Sequence, residues 1–254
     1  IVVAPDSFKE SLSAKAVASN IATAIAKIMP EAKILQIPIS DGGEGLLEAL
    51  VTPSKGKLIP VKVKDPLLRN IQAHYGILGD GTTAVVEMAT ASGLELLKES
   101  ERNPLITSTY GTGELIRDAL NKGCTKIIIG VGGSATNDGG IGMIKALGGK
   151  FLNKKGVSID EGGGALDALN QIDISELDKR LLKCEIIGAC DVSNPLTGNH
   201  GASIVFGGQK GGSTLELEQL DLNLFHYASV IKSDLGMDVK EVEGTGAAGG
   251  MGAA

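Results

Sequence analysis

The stretch Lys126-Ile127-Ile128-Ile129-Gly130-Val131-Gly132-Gly133-Ser134-Ala135-Thr136-Asn137-Asp138-Gly139-Gly140 decides the fold class. Its apolar, β-branched opening reads as a buried strand. The glycines that follow read as a loop that turns tightly or lets backbone approach a ligand, with a helix expected from there to about Leu147. Strand, glycine loop and helix are the repeating unit of an α/β protein. Backbone N–H groups in such a loop, with the helix N-terminus behind them, attract an anion. Ser134, Thr136 and Asn137 add hydroxyl and amide donors. A plain turn capped by Asn137 or Asp138 is the competing reading. Four polar side chains among five glycines exceed what a cap requires, so Gly132, Gly133, Ser134, Thr136, Asn137 and Asp138 are assigned to a ligand site.

The same loop fits the dinucleotide pattern Gly130-x-Gly132-x-x-Ala135, with Asp160 and Glu161 roughly where a ribose-binding acid is expected. The fit is loose, because Gly148-Gly149 and the strand-poor 153–165 stretch blur the βαβ unit it needs. It leaves an NAD(P)-dependent reductase of a small hydroxy acid as an alternative. No Walker-A or protein-kinase signature occurs.

Outward from this loop the alternation continues. Ile1–Pro5 reads as a short buried strand, and Ser13 as the N-cap of a helix to about Met29 with Val17, Ile21, Ile25 and Ile28 on one face. Pro30 closes that helix, Lys33–Ile39 is the next strand, and Asp41-Gly42-Gly43-Glu44-Gly45 opens a helix to about Val51. This is the start of a doubly wound sheet, whose strand ends form a ligand-binding edge. Asp6, Ser7 and Lys9 follow the first strand there, and Asp41 the second; helix capping with a solvated Lys9 is the bland alternative. Lys57–Val63, Ile71–Leu78 and Thr82–Met88 are closely spaced strands with turns at Asp65-Pro66 and Gly79-Asp80-Gly81, which implies mixed or antiparallel pairing. A helix over Thr112–Lys122, a buried strand over Glu185–Ala189, a helix over Gln219–Leu235 and a glycine loop over Gly244–Gly252 complete the pattern. Two α/β lobes result: residues 1–62 with 244–254, and an inserted mixed-sheet lobe of 63–243. The first has little chain after Gly244 to cover its sheet and reads as cut off.

Asp191 ends the 185–189 strand and enters a turn fixed by Pro195. A well-held carboxylate there suits a base or a metal ligand, with a turn-initiating aspartate as the alternative. Lys210, in Phe206-Gly207-Gly208-Gln209-Lys210-Gly211-Gly212, either meets a phosphate or is a solvated loop lysine.

Composition narrows the classes. Glycine contributes 36 of 254 residues, clustered rather than periodic, which excludes a collagen-like chain. Aromatic residues are 3% and Trp is absent, so the core is aliphatic. A net charge of −6 without a basic stripe argues against nucleic acid. Apolar runs fall short of the roughly 20 residues that span a bilayer. Cys124, Cys184 and Cys190 form no CxxC pair, as expected of reduced thiols in a cytoplasmic protein. The chain opens on Ile1 without an initiating Met, as if a residue or two inside the gene product. The sequence gives no indication of a homo-oligomer.

Several of these motifs occur together in one order: Ala4–Ser11, Ser40–Gly45, Asn103-Pro104 with Tyr110–Glu114, Gly132–Gly140, Ala189–Val192 with Asn194–Leu196, Gln209–Gly211 and Gly246–Gly250. Across essentially the whole chain they resemble the glycerate kinase family of bacterial glycerate and glucarate catabolism. The resemblance implies a Rossmann-like doubly wound lobe interrupted by an inserted mixed-sheet α/β lobe, with the active site between them. It implies ATP with Mg2+ as donor, D-glycerate as acceptor and 2-phosphoglycerate as product. Asp191, Lys9 and Asp41 are then the catalytic candidates, Asp6, Ser7, the glycine loop and Lys210 bind substrate or nucleotide, and Asp191 or Asp138 holds Mg2+. Which carboxylate takes the hydroxyl proton stays open. Gly208 stands where the family usually has Pro, and a family segment with a Gly-Glu-Gly-Arg motif beyond Gly250 is absent here. A small-acid-binding module without that nucleotide segment is the non-enzyme alternative.

Overall fold

The computed structural model describes residues 1–8, 11–40 and 42–254. Its first unit is small: β1 (Val2–Val3), α1 (Ala14–Ile28) and β2 (Leu35–Gln36), with the two strands parallel. Ser13 caps α1, its hydroxyl accepting from Ala16 N at 3.3 Å. The buried face of α1 is not the isoleucine stripe. Ala14, Val17, Ala18 and Ala22 pack inward, while Ile21 is 40% and Ile28 82% exposed. Small side chains at i, i+4 and i+8 let the helix lie close to the strands, which turns the bulkier stripe outward. The regular strand pairing is confined to Val2–Val3 and Leu35–Gln36, although backbone hydrogen bonds join Ile1–Pro5 to Lys33–Ile39 along its length, and Val2 is exposed. Among the described residues α1 covers one face of this pair, so the first strand is not buried on both.

The main sheet begins after α2 (Leu46–Val51). Strands β3 (Lys57–Lys64), β4 (Asn70–Ile77) and β5 (Thr83–Glu87) form an antiparallel meander, as their short turns require. After α3 (Ala89–Ser92) and α4 (Tyr110–Asn121), strand β6 (Lys126–Gly130) adds parallel to β5. Beyond α5 (Ile141–Ala146), a two-stranded ribbon of β7 (Lys150–Leu152) and β8 (Gln171–Asp173) leads to β9 (Glu185–Ala189), parallel to β6. The order is β3-β4-β5-β6-β9, a mixed sheet. α6 (Ala202–Phe206) and α7 (Thr214–Leu235) follow, and Ala247–Gly250 forms a kinked turn.

Contacts cross the expected division in three places. β3 pairs along its length with β4, so a boundary after residue 62 runs through a strand. Leu46, Leu47 and Val51 of α2 pack on Val85, which puts that helix on the large sheet as well. Residues 244–254 lie on the glycine loop: Gly139 N donates to Gly249 O and Gly246 N to Asn194 O, at 3.0 Å each. Finally, β9 is an edge strand with Ile186 49% exposed, where a buried strand was expected.

Besides the small cluster of α2 on Val85, two larger cores lie among the described residues. Tyr75, Val86, Met88, Leu115, Ile116 and Ile127 belong to one, and Ile141, Phe151, Leu166, Leu196, Leu224 and Tyr227 to the other. α4 and α5 close against each other because Gly113 meets the Met143 carbonyl, where a Cβ would stand 2.3 Å away. The turn at Ala247–Gly250 is held the same way: a Cβ on Gly249 would stand 2.0 Å from the Thr136 carbonyl.

Candidate active site

Glu87, Gly130 and Ala189 are in register across three parallel strands, so their C-terminal ends form one edge. Open α/β sheets bind ligands at such an edge. The 42–45 loop closes over it. Gly42, at φ +96°, would carry a Cβ 2.5 Å from the Ala189 carbonyl, and one on Gly132 would stand 2.5 Å from Gly43 Cα. Gly132 N donates to Gly42 O and Val131 N to Ala189 O. Glycine is required here because three backbones touch. The small unit joins at the same point: Ile39 N donates to Pro5 O at 3.1 Å, so Asp6 and Ser7 start beside Ser40. Asp6 and Ser7 are half-buried, with Ser7 N donating to Asp6 Oδ1 at 2.6 Å. Lys9 and Asp41 lie outside the described residues.

The glycine loop divides into an open and a buried part. Val131, Gly132 and Gly133 are accessible, whereas Thr136, Asn137 and Asp138 have no exposed surface. The N–H groups of Gly133 and Ser134 have no acceptor among the described residues. Those of the following turn are taken. Asp138 accepts from Thr109 N and Oγ1 at 2.9 Å each, from Gly140 N at 3.1 Å and from Gly142 N at 3.3 Å. Met143 N donates to Thr109 Oγ1. The start of α5 is thus capped from within, so the helix N-terminus offers nothing to an anion, and the pyrophosphate seat of the dinucleotide pattern is filled by protein. Burial raises the Asp138 carboxyl above its usual range despite these donors. Asn137 Nδ2 donates to Ser203 Oγ at 2.9 Å, while Asn137 Oδ1 and Thr136 Oγ1 are buried without partners among the described residues.

Lys210 is not a solvated loop lysine. It is 1% exposed beneath the loop, with Nζ donating to Ser134 Oγ at 2.8 Å and to the Thr136 carbonyl at 2.6 Å. Asp191, two residues past Ala189, is exposed and has no ion pair or hydrogen bond to a described residue.

Two parts of this region went unread in the sequence. Glu87 is buried at the end of β5 and accepts from Leu47 N at 2.7 Å, at the start of α2; burial holds its carboxyl above the usual range. A carboxylate ending an apolar strand is the signal that singled out Asp191, and it stands in Thr83–Glu87 as well. Thr107, Ser108 and Thr109 are all buried, and Thr107 Oγ1 donates to the Ala135 carbonyl at 2.8 Å. Three consecutive hydroxyl residues ahead of a helix were the available sign.

Asp138 does not fit Mg2+, since hydrogen-bond donors already occupy its oxygens. Asp191 fits, being exposed just past the end of β9 and without a partner among the described residues. Among the described residues no three His, Cys, Asp or Glu side chains gather into a cage. Mg2+ is commonly held by one or two carboxylates together with substrate phosphates, which needs no cage.

The arrangement is that of a mixed α/β protein with glycine loops packed at a parallel sheet edge. The model of the glycerate kinase family matches residues 1–254, and the chain belongs to that family. It is 55% identical over 254 residues to a protein named glycerate 2-kinase from Escherichia coli K12, covering 100% of this chain and 67% of that one. A glycerate kinase from Bacillus subtilis 168 is 51% identical over 252 residues, covering 99% and 66%. A crystal structure from Salmonella typhimurium LT2, assigned as glycerate kinase 2, superposes with a TM-score of 0.90 at 53% identity, covering 99% of this chain and 67% of that one. The chain spans about two thirds of the length of these relatives. No helix of the described residues is long and apolar enough to cross a membrane.

Proposed function

We propose that this chain belongs to an ATP-dependent kinase that transfers the γ-phosphoryl group to a hydroxyl of D-glycerate and gives 2-phosphoglycerate. The observation that carries the reading is the family match along the whole chain, with 55% identity to a protein named glycerate 2-kinase. The site supports it chemically. Phosphoryl transfer asks a protein for positioning and charge neutralisation more than for covalent chemistry. The Gly133 and Ser134 amides, without an acceptor among the described residues, supply donors for phosphate or carboxylate oxygens. Asp6 and Ser7 follow the end of β1 beside Ser40, with Lys9 and Asp41 in the same two segments of sequence. Asp191 and Asp41 share two duties, accepting the hydroxyl proton and holding Mg2+. When bound, that ion would neutralise charge on the transferring phosphates. Such an enzyme works in the cytoplasm, where ATP is supplied.

Full-length protein given ATP, Mg2+ and D-glycerate should release ADP, and phosphorus NMR should show 2-phosphoglycerate. NADH-linked turnover without ADP would overturn the reading. Asp191→Asn keeps shape and removes charge, so the fold should survive while kcat drops about 10²–10⁴-fold. An unfolded variant would make Asp191 a turn residue, and normal turnover would shift both duties to Asp41.

A further inference from the structure

Lys210 reaches the glycine loop from underneath, and its own backbone has one place to lie. It ends a short 3-10 turn, Gly208–Lys210, behind α6. Gly211, at φ +93°, would carry a Cβ 2.3 Å from the Arg102 carbonyl, and a Cβ on Gly212 would stand 2.5 Å from Leu217. The turn is therefore pressed against residues 102–104 and the first turn of α7. From this anchor the side chain crosses the interior to Ser134 Oγ and the Thr136 carbonyl.

These two acceptors flank Ala135, which is itself tied on both sides. Ala135 N donates to Ser92 O at 2.9 Å, and its carbonyl accepts from Thr107 Oγ1. Leu94 N donates to Gly133 O at 2.9 Å. Three segments thus hold residues 133–136, and Lys210 is the one cationic tie among the described residues. No described carboxylate lies within ion-pair distance of Nζ, and the nearby Asp138 is saturated by N–H and O–H donors. An unpaired buried ammonium is costly, and an apolar side chain of similar volume would fill the space at lower cost. Filling the core does not account for a lysine here. Holding the turn does, because a single side chain bridges a hydroxyl and a carbonyl two residues apart.

We propose that Lys210 is a positioning residue: it fixes Ser134–Thr136 from below, so that the Gly133 and Ser134 amides are preset for an anionic group of the substrates. It does this without touching substrate. The role rests on the kinase reading above. Burial brings the Lys210 ammonium down to about 7, partly offset by the Asp138 carboxylate, the one charged group among the described residues that acts on it.

The test is Lys210→Met in the full-length protein. KM for ATP or for D-glycerate should rise about tenfold or more, with kcat within about threefold of wild type. Ser134→Ala, which removes one of the two acceptors, should raise the same KM about threefold, and it decides the matter if Lys210→Met does not fold. Exchange of the 133–137 amides with deuterium should speed at least tenfold in Lys210→Met, while β5 and β6 stay protected. Unchanged KM values and unchanged exchange in a folded variant would overturn the proposal. So would a hundredfold loss of kcat at unchanged KM, which would mean direct participation in the chemistry. If wild-type protein releases no ADP, the kinase reading fails by itself, and the exchange rates still judge Lys210.

Discussion

Glu87 is a carboxylate buried where its charge is only partly compensated. Its oxygen accepts from the start of α2, but desolvation outweighs that bond and raises its pKa. The native state therefore holds this proton more tightly than the unfolded chain does. The resulting stabilisation is complete below the unfolded value of about 4.3 and is lost as pH rises through the higher folded value. Glu87→Gln keeps an acceptor for Leu47 N and removes the titration. Urea unfolding of both proteins should show the variant gaining on wild type from pH 4.5 to 7.5. A gap that narrows with rising pH would mean that hydrogen bonding, not burial, dominates at Glu87. Asp138 shares the raised pKa, but four donors converge on it. Asp138→Ala should cost about 3 kcal/mol or more, read by the same unfolding curves, because it strands buried N–H groups.

At the scale of elements, the loops carry the assembly. Gly42→Ala would meet both a positive φ and the Ala189 carbonyl, so it should cost about 1–3 kcal/mol and lower kcat/KM by displacing the loop from the strand edge. Unaltered melting and kinetics would show that the 42–45 loop yields freely. These loops were legible in the sequence because glycine clusters after apolar runs have few other uses, and the alternation of strand and helix gave the mixed α/β class. What each loop residue does was not legible. Asp138 and Lys210 belong to types that serve a ligand or a scaffold equally well. Only the partners brought by folding, Thr109 from before α4 and Ser134 from across the loop, separate the two uses. The inward face of α1 was misread for a related reason. Hydrophobicity favours the isoleucines, but close approach to two short strands favours the alanines, and shape prevailed.

Across the whole molecule, distant segments converge on the glycine loop: the loop after β2 at Gly130 and Gly132, the ends of β5 and β9 beside Gly130, and the turn at 247–250 at Thr136 and Gly139. The sheet itself joins two kinds of pairing. β3, β4 and β5 are neighbours in sequence, whereas Thr83 pairs with Lys126, and Lys126 in turn with Glu185. Closing those later loops costs chain entropy before any contact rewards it. The meander is thus the natural nucleus, and the parallel edge that carries the glycine loop assembles late. In stopped-flow chevrons, a substitution within the meander core, such as Val86→Ala, should slow refolding. One at that edge, such as Gly42→Ala, should leave refolding nearly unchanged and speed unfolding. The part of the protein on which its chemistry depends is then the last to form during refolding and the first to come apart.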